Sequence, residues 1–331
     1  MEPGCTLPRL RALMDRAIEA TGLNLSGLAV LTEAATGAYA ATAVLAAMAG
    51  AAQVYALAKS SRYGSAADVE SEVRRLAAFA GVAPRVAILQ SIEPGLPGGV
   101  DIVTNSGHLR PLTAEVLDQL PDRAVVALMF EAWELRPEDI DMECCARRRI
   151  PVVGVNERHP AVDVFSFLGP LCVKQLHDCG VAVYGNRIAV LSDNAFAPWI
   201  HRGLSAMGAQ TALFTHWNEI FNDAWDAVVV AMRPSTGAGI DAAAARHLAT
   251  VSASGAFIVQ FWGDLDRTAA AANHLSVWPV TPPRPGHMGI LLSAIGPEPV
   301  VRLQAGGLRA AELVFRGSEA SPEGIAQIVV I

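Results

Sequence analysis

Charge is scarce in this sequence, and what there is does not collect. Only 17% of the 331 residues are charged and 52% are apolar, a balance suited to parallel sheets covered on both faces. The net charge of −7, with no basic run besides Arg147–Arg149, argues against a general nucleic-acid binder. Those three arginines read as a solvated helix end before a strand. Cysteine is equally sparse. Cys144 and Cys145 are adjacent, Cys5, Cys172 and Cys179 stand apart, and no C-x-x-C occurs. No metal is expected, and the odd count reads as reduced thiols in a cytoplasm. The H-E-x-x-H, Walker lysine and G-x-S-x-G patterns are all missing, which disfavours zincins, P-loop enzymes and α/β-hydrolases. The start of the chain, with Glu2 and Pro3, has neither the basic start nor the apolar core of a signal peptide. One long uncharged run, Ala34–Ala58, is interrupted by Gly37, Gly50 and Gln53. It reads as helix plus buried strand and not as a membrane span.

The stretch Leu28–Tyr63 organises the rest. Leu28–Leu31 is an apolar strand and Thr32–Gly37 a turn of small and polar residues. Thr36 can cap a helix that runs to about Met48 and stops at Gly50. Gln53–Ala58 returns as a buried strand ending in Lys59-Ser60-Ser61-Arg62. This is the βαβ opening of a Rossmann-type domain, where helix N-terminal amides suit phosphate. Of the three glycines in G-x-G-x-x-G only the last has a counterpart, Gly37, with Thr32 and Ala34 at the other places. Two readings stay open for this turn, a phosphate site and an ordinary βα connection.

Around that unit the chain alternates helix and strand. An amphipathic helix over about Leu7–Ala20 comes first, and a helix over Ala66–Ala80 follows the second strand. Further strands are expected at Val86–Leu89, Val100–Val103, Ala124–Met129 and Pro151–Val155, with helices at Ala114–Leu120 and around Pro137–Arg148. Phe165–Cys179 reads as a long connecting helix. The plan then repeats with strands at Arg187–Leu191, Ala212–Phe214, Ala227–Ala231, Ala256–Phe261 and Val277–Val280. The end of the chain, Val300–Leu303 and a helix over about Leu308–Phe315, is expected to cross back and finish a sheet. The expected fold is α/β, with two Rossmann-like doubly wound parallel-sheet domains facing an interdomain cleft. Residues 1–160 form the first domain and 161–331 the second, with a C-terminal crossover.

Ligands of open parallel sheets collect at the carboxyl ends of strands. In the first domain this rule selects Thr32, Glu33, Thr36, Lys59, Ser60, Ser61, Arg62, Asn105, Ser106, Glu131, Trp133, Glu134, Asn156, Glu157 and His159. In the second it selects Asp193, Asn194, His216, Trp217, Arg233, Trp262, Asp264 and His287. Thr32, Thr36, Gly37, Ser60, Ser61, Arg62, Asn105 and Ser106 are the candidates for a nucleotide cofactor. Two cations and two hydroxyls at Lys59–Arg62 suit a 2′-phosphate, Arg being the better fork for its oxygens; a solvated basic loop is the alternative. Glu131, Glu134, Asn156, Glu157, His159, Asp193 and Asn194 are candidates for a substrate cleft.

A family resemblance rests on the later part of the chain. Arg149–Leu176 resembles the junction of D-2-hydroxyacid dehydrogenases, where a strand and Asn lead into the interdomain helix. Ala231-Met232-Arg233 with Ile240-Asp241 looks like that family's substrate-binding Arg loop, and Phe261–Asp264 is similar to the stretch holding its acid. Thr281-Pro282 with His287 resembles the segment carrying its catalytic histidine. The resemblance implies that Arg233 holds a substrate carboxylate, His287 exchanges a proton as hydride moves to NAD or NADP, and Asp264 (or Asp266) orients the histidine. The chain departs from the family at Ser192–Pro198, where no glycine fingerprint stands and Asp193 would face a pyrophosphate.

Three functions remain open. The first is an NAD(P)-dependent oxidoreductase acting on a small carboxylate or amino-acid-like metabolite. The second is a transferase, ligase or lyase that holds a nucleotide or phosphorylated metabolite, and the third a binding protein. The apolar content, with Trp199, Trp217 and Trp225 read as exposed, suggests a homodimer.

Overall fold

The computed structural model describes residues 4–92, 95–96, 98–221, 223–234, 239–318 and 324–330. Two compact units divide the chain, one of Met1–Val164 with Gly296–Ile331, the other of Phe165–Ile295. The first break falls close to the expected residue 160, but the segment after 295 belongs to the first unit and not to the second.

The first unit opens with α1 (Leu7–Thr21), β1 (Ala29–Glu33), α2 (Ala41–Met48), β2 (Gln53–Leu57), α3 (Ala66–Phe79) and β3 (Val86–Leu89). It continues through β4 (Ile102–Thr104), α4 (Ala114–Leu117), β5 (Val125–Ala127), α5 (Met142–Arg148) and β6 (Val152–Val155). The second unit comprises α6 (Leu168–Asp178), β7 (Arg187–Leu191), α7 (Ala197–Ala206), β8 (Gln210–Phe214), β9 (Trp225–Ala231), α8 (Ala242–Val251), β10 (Ser252–Trp262), α9 (Arg267–Ala272) and β11 (Ser276–Trp278). The chain then returns to the first unit with α10 (Glu298–Phe315) and β12 (Ala326–Val330).

The first sheet has the order β12-β6-β5-β4-β1-β2-β3. All its pairs are parallel except β12 on β6. On one face Leu31, Val103, Val126 and Val152 pack under Leu117 of α4 and Cys144 and Cys145 of α5. On the other, α10 packs on α1, α2, β5 and β6. Val300–Leu303, expected apart from the helix that follows, is the opening of α10. Gly306 and Gly307 stand inside this one helix. A Cβ on Gly306 would come 2.8 Å from Val155 and Val162, and one on Gly307 2.7 Å from Met129 Sδ. Glycine lets the helix lie directly on the sheet.

The second sheet is fully parallel, in the order β11-β10-β9-β7-β8. Helices α6 and α7 cover one face through Leu171, Leu176, Ile200 and Leu204, and α8 covers the other through Ala244 and Leu248. Trp225 is not a surface residue: it is buried in that second core, its Nε1 donating to Phe221 O at 2.9 Å. Arg148 likewise is no solvated helix end, since its guanidinium donates to the carbonyls of Leu117 and Leu120.

Candidate functional site

In the first sheet the strand order reverses beside β1: β2 and β3 lie to one side, β4 to β6 to the other. That reversal opens a crevice beyond the carboxyl ends of β1 and β4, the place where such sheets take ligands. Its occupant here is a carboxyl group. Glu33 ends β1, and its carboxyl lies against Gly107, where any Cβ would overlap it. Gly107 has φ +47. Burial pushes the Glu33 carboxyl up to about 7, against the charge of Arg110 and a hydrogen bond from the His108 amide, which both favour ionisation. Arg110 donates to Asn105 O at 2.9 Å, lies 3.6 Å from Asp139 and stacks over Phe130.

The Asn105 side chain is fully buried, and neither its Oδ1 nor its Nδ2 has a hydrogen-bond partner, nor does the buried Arg110 Nε. The hydroxyls of its neighbours are satisfied: Thr104 donates to Thr32 Oγ1 at 2.8 Å and lies 2.8 Å from Ser106 Oγ.

Further along the same edge, three more glutamates gather after β5 and β6. Glu131 is buried; it accepts from Trp133 Nε1 and, at 3.3 Å, from the Glu157 amide, and lies 3.6 Å from Arg158. Glu134 accepts from the Glu131 amide at 3.4 Å. Burial and then the Glu131 charge push Glu134 up to about 7. Glu157 is raised well above the usual carboxylate range by burial and by Glu134 and Glu131. Tyr39 links the groups: burial and the charges of Glu33, Tyr63 and Glu157 push its phenol up to about 12. Two carboxyls poised near neutrality can hold or release a proton at physiological pH. Tyr39 and Arg110 escape a reading of the sequence. Gly107, which opens the short turn after β4 and lies against Glu33, is the sequence feature nearest to Arg110.

The remaining first-unit candidates have local roles. Thr36 makes no cap, and its hydroxyl donates to Tyr63 O at 3.4 Å. The Gly37 amide, the one expected to meet a phosphate, donates to Glu72 Oε1 at 3.1 Å. Ser60 Oγ accepts from the Ala66 amide and Ser61 Oγ from the Tyr63 amide, at 2.9 and 3.1 Å. Both hydroxyl hydrogens stay available to a ligand. Arg62 is exposed, donates to Tyr63 Oη at 2.6 Å and stacks on its ring. Asn156 braces Gly324 O and the Arg158 amide, and His159 Nδ1 accepts from the Ala161 amide.

In the second unit the strand order reverses at β7 and β9. The crevice there is bridged by side chains. Asp193 accepts from the Arg233 amide at 2.9 Å, and Asn194 donates to Ala231 O at 2.6 Å. Phe196 fills the turn, its ring 5.0 Å from Trp262 and 5.5 Å from Phe165. Arg233, Asp264 and His287 follow the ends of β9, β10 and β11, which are neighbours in the sheet. Asp264 Oδ1 accepts from the Gly286 amide at 3.3 Å, and Trp262 Nε1 donates to Gly286 O at 3.1 Å. The acid thus ties down the loop that carries His287. Residues 235–238, between Arg233 and Ile240, lie outside the described residues.

No protein-family model and no curated protein matches this chain. Solved structures do match its fold. A dipicolinate synthase chain from Bacillus halodurans is 12% identical with a TM-score of 0.57, over 90% of this chain and 100% of that one. The pyruvate reductase of Chlamydomonas reinhardtii is 12% identical with a TM-score of 0.53, over 91% and 99%. NAD-dependent formate dehydrogenase from Staphylococcus aureus, solved with NAD, is 12% identical with a TM-score of 0.52, over 90% and 98%. The fold resembles that of D-2-hydroxyacid dehydrogenases. The likeness is one of fold, two Rossmann-like units in one chain.

Proposed function

We propose that this chain is an NAD(P)-dependent oxidoreductase-like enzyme acting on a small carboxylate or amino-acid-like metabolite. The observation that carries the reading is the set Arg233, Asp264 and His287 in the loops that follow three neighbouring strands, with Asp264 bonded to the His287 loop. The fold shared with the formate dehydrogenase and the pyruvate reductase supports it. Arg233 would bind the substrate carboxylate, His287 would hold or accept the proton on the substrate oxygen, and Asp264 would set the loop that aims the imidazole. NAD(P), when bound, would exchange hydride with the substrate carbon. Lys59, Ser60, Ser61 and Arg62, with their exposed cations and available hydroxyl hydrogens, fit a ribose phosphate. In the first βα turn Glu72 takes the Gly37 amide, and at the second turn Asp193 accepts from the Arg233 amide while the Phe196 ring packs on Trp262.

Titration with NADH and NADPH, followed by nicotinamide fluorescence, tests the cofactor, and 2-oxo acids test turnover. His287→Asn should abolish turnover with substrate affinity kept within a few-fold. Arg233→Ala should chiefly raise KM, by about 2–4 kcal/mol. A folded His287→Asn protein with full activity would end this reading. The neutral-range carboxyls of Glu33 and Glu134 favour a second reading, a non-redox enzyme using acid–base chemistry in the first unit. A cytoplasmic homodimer completes the proposal; exposed Tyr184, Phe221 and Val280 of the second unit support a self-contact, which light scattering at micromolar concentration checks.

A further inference from the structure

We infer that β8, the free edge of the second sheet, pairs antiparallel with β8 of a second copy of this chain, joining two five-stranded sheets into one. The inference rests on the homodimer reading and names its contact. It is independent of any redox chemistry.

Among the described strands β8 has one neighbour, β7, and the pairing runs without a bulge from Arg187 beside Gln210 to Leu191 beside Phe214. The Gln210 amide donates to Asn186 O and Phe214 O accepts from the Ser192 amide, both at 2.9 Å. Those groups point at β7, so by strand alternation the N–H and C=O of Thr211 and Leu213 point out of the sheet. Open edges are ordinarily shielded by charge, proline or a bulge. β8 has none of these, since residues 208–214 carry no charged side chain and no proline. The other edge of the sheet differs: β11 has three residues and runs into Pro279, which has no N–H to offer. At the β3 edge of the first sheet no strand residue is exposed.

The edge fits its own copy in one register. With a two-fold axis at Ala212, Thr211 of each strand stands opposite the partner's Leu213, and the outward groups of these residues exchange four hydrogen bonds. A register centred on Leu213 would need the Thr215 amide, which donates to Glu219 Oε2 at 3.0 Å. One centred on Thr211 would need the Ala209 amide, which donates to Leu204 O at 3.2 Å. At the axis stands Ala212, small enough for two strands to meet, and no charge on the strand faces its own copy. Apolar surface borders the strand. Leu213 and Met207 are exposed, Tyr184 is 82% exposed with its ring against Gly208, and exposed Phe221 lies 5.6 Å from the Phe214 ring. An aromatic side chain buries roughly 150–250 Å², and a stable contact takes about 800 Å² from each partner. These four side chains with the strand supply surface of that order.

Light scattering of the full chain at micromolar concentration, with three variants, tests the contact. The parent should be a dimer. Leu213→Lys, at an exposed strand position, sets two ammonium groups beside the axis and should weaken the dimer about a hundredfold or more. Ala212→Cys should cross-link into a covalent dimer on mild oxidation, because residues opposite each other on the axis stand about 4.5 Å apart at Cα, within reach of a disulfide. Gln210→Cys, exposed on the same strand, should not cross-link, as its two copies lie about 14 Å apart across the axis. The native thiols of Cys5, Cys144, Cys145 and Cys172 are buried, and the parent protein is the cross-linking control. Far-UV circular dichroism checks folding; should Leu213→Lys not fold, the two cysteine variants decide. A monomeric parent would overturn both this contact and the homodimer reading. With a dimeric parent, an undiminished dimer of folded Leu213→Lys, no cross-link in Ala212→Cys, or equal cross-linking of Gln210→Cys would each overturn the contact and leave the homodimer reading standing.

Discussion

Glu33 makes the first unit's stability depend on pH in the direction opposite to most carboxylates. Its folded value of about 7 lies above the ordinary 4.5. Folding is therefore favoured by the protonated form. The contribution is complete below pH 4.5 and is lost as pH rises through about 7. A shift of that size corresponds to roughly 3 kcal/mol. Glu33→Gln should remove this dependence: urea denaturation at pH 5 and pH 8 should differ less in the variant, which should be the more stable protein at pH 8. An unchanged difference would mean that Glu33 titrates normally. Gly107 is the other half of the contact. Gly107→Ala should cost about 2–3 kcal/mol, through a left-handed backbone and displacement of the Glu33 carboxyl. In a Glu33→Ala background only the backbone part, about 1 kcal/mol, should remain. A double-mutant cycle measures that difference, and equal costs in both backgrounds would separate the two residues.

At the scale of the element, close approach accounts for much of what cannot be read from the sequence. Val86–Leu89 and Arg187–Leu191 coincide with β3 and β7, because short β-branched runs bounded by turn residues signal themselves. Alanine-rich α8 gives no such periodicity and does not stand out. The candidate site is legible in the same uneven way. The rule that ligands meet strand ends reaches Glu33, Asn105, Glu131, Glu134 and Glu157. Which of them are buried, and what they touch, depends on neighbours far along the chain, as Arg110 and Gly107 are from Glu33. Helices α6 and α7 give a test of close approach. A Cβ on Gly169 would stand 2.8 Å from Gly203 Cα and 2.9 Å from Trp199 O. Backbone atoms cannot yield as a side-chain tip can. Gly169→Ala should destabilise the second unit by about 1–3 kcal/mol, read as a lower urea midpoint with an unchanged slope. A midpoint equal to that of the parent would show that the helices separate freely.

At the scale of the molecule, the path of the chain makes one unit discontinuous and the other continuous. Residues 165–295 hold a complete five-stranded sheet with helices on both faces. Residues 1–164 lack α10, whose buried Val300, Val301, Gln304, Leu308 and Ala311 cover the sheet, and lack β12, which closes the β6 edge. Gln304 Oε1 also accepts from Thr42 Oγ1 at 3.0 Å, and the Glu312 carboxylate accepts from the Asn24 amide at 3.0 Å. Without that return segment the sheet's apolar face and its β6 edge would both meet water. A fragment of residues 165–295 should therefore fold alone and unfold in one cooperative transition. A fragment of residues 1–164 should not fold, and joining residues 296–331 to it by a flexible linker should restore it. Tryptophan separates the readouts, since Trp199, Trp217, Trp225, Trp262 and Trp278 lie in the second unit and Trp133 alone in the first. Fluorescence of the 165–295 fragment should reproduce most of the intact protein's denaturation signal, while Trp133 emission should shift to the blue in the first fragment only once the return segment is attached. Cooperative folding of residues 1–164 alone would show that α10 and β12 are accessories to the first unit, and the division of the chain would then have to be drawn before them.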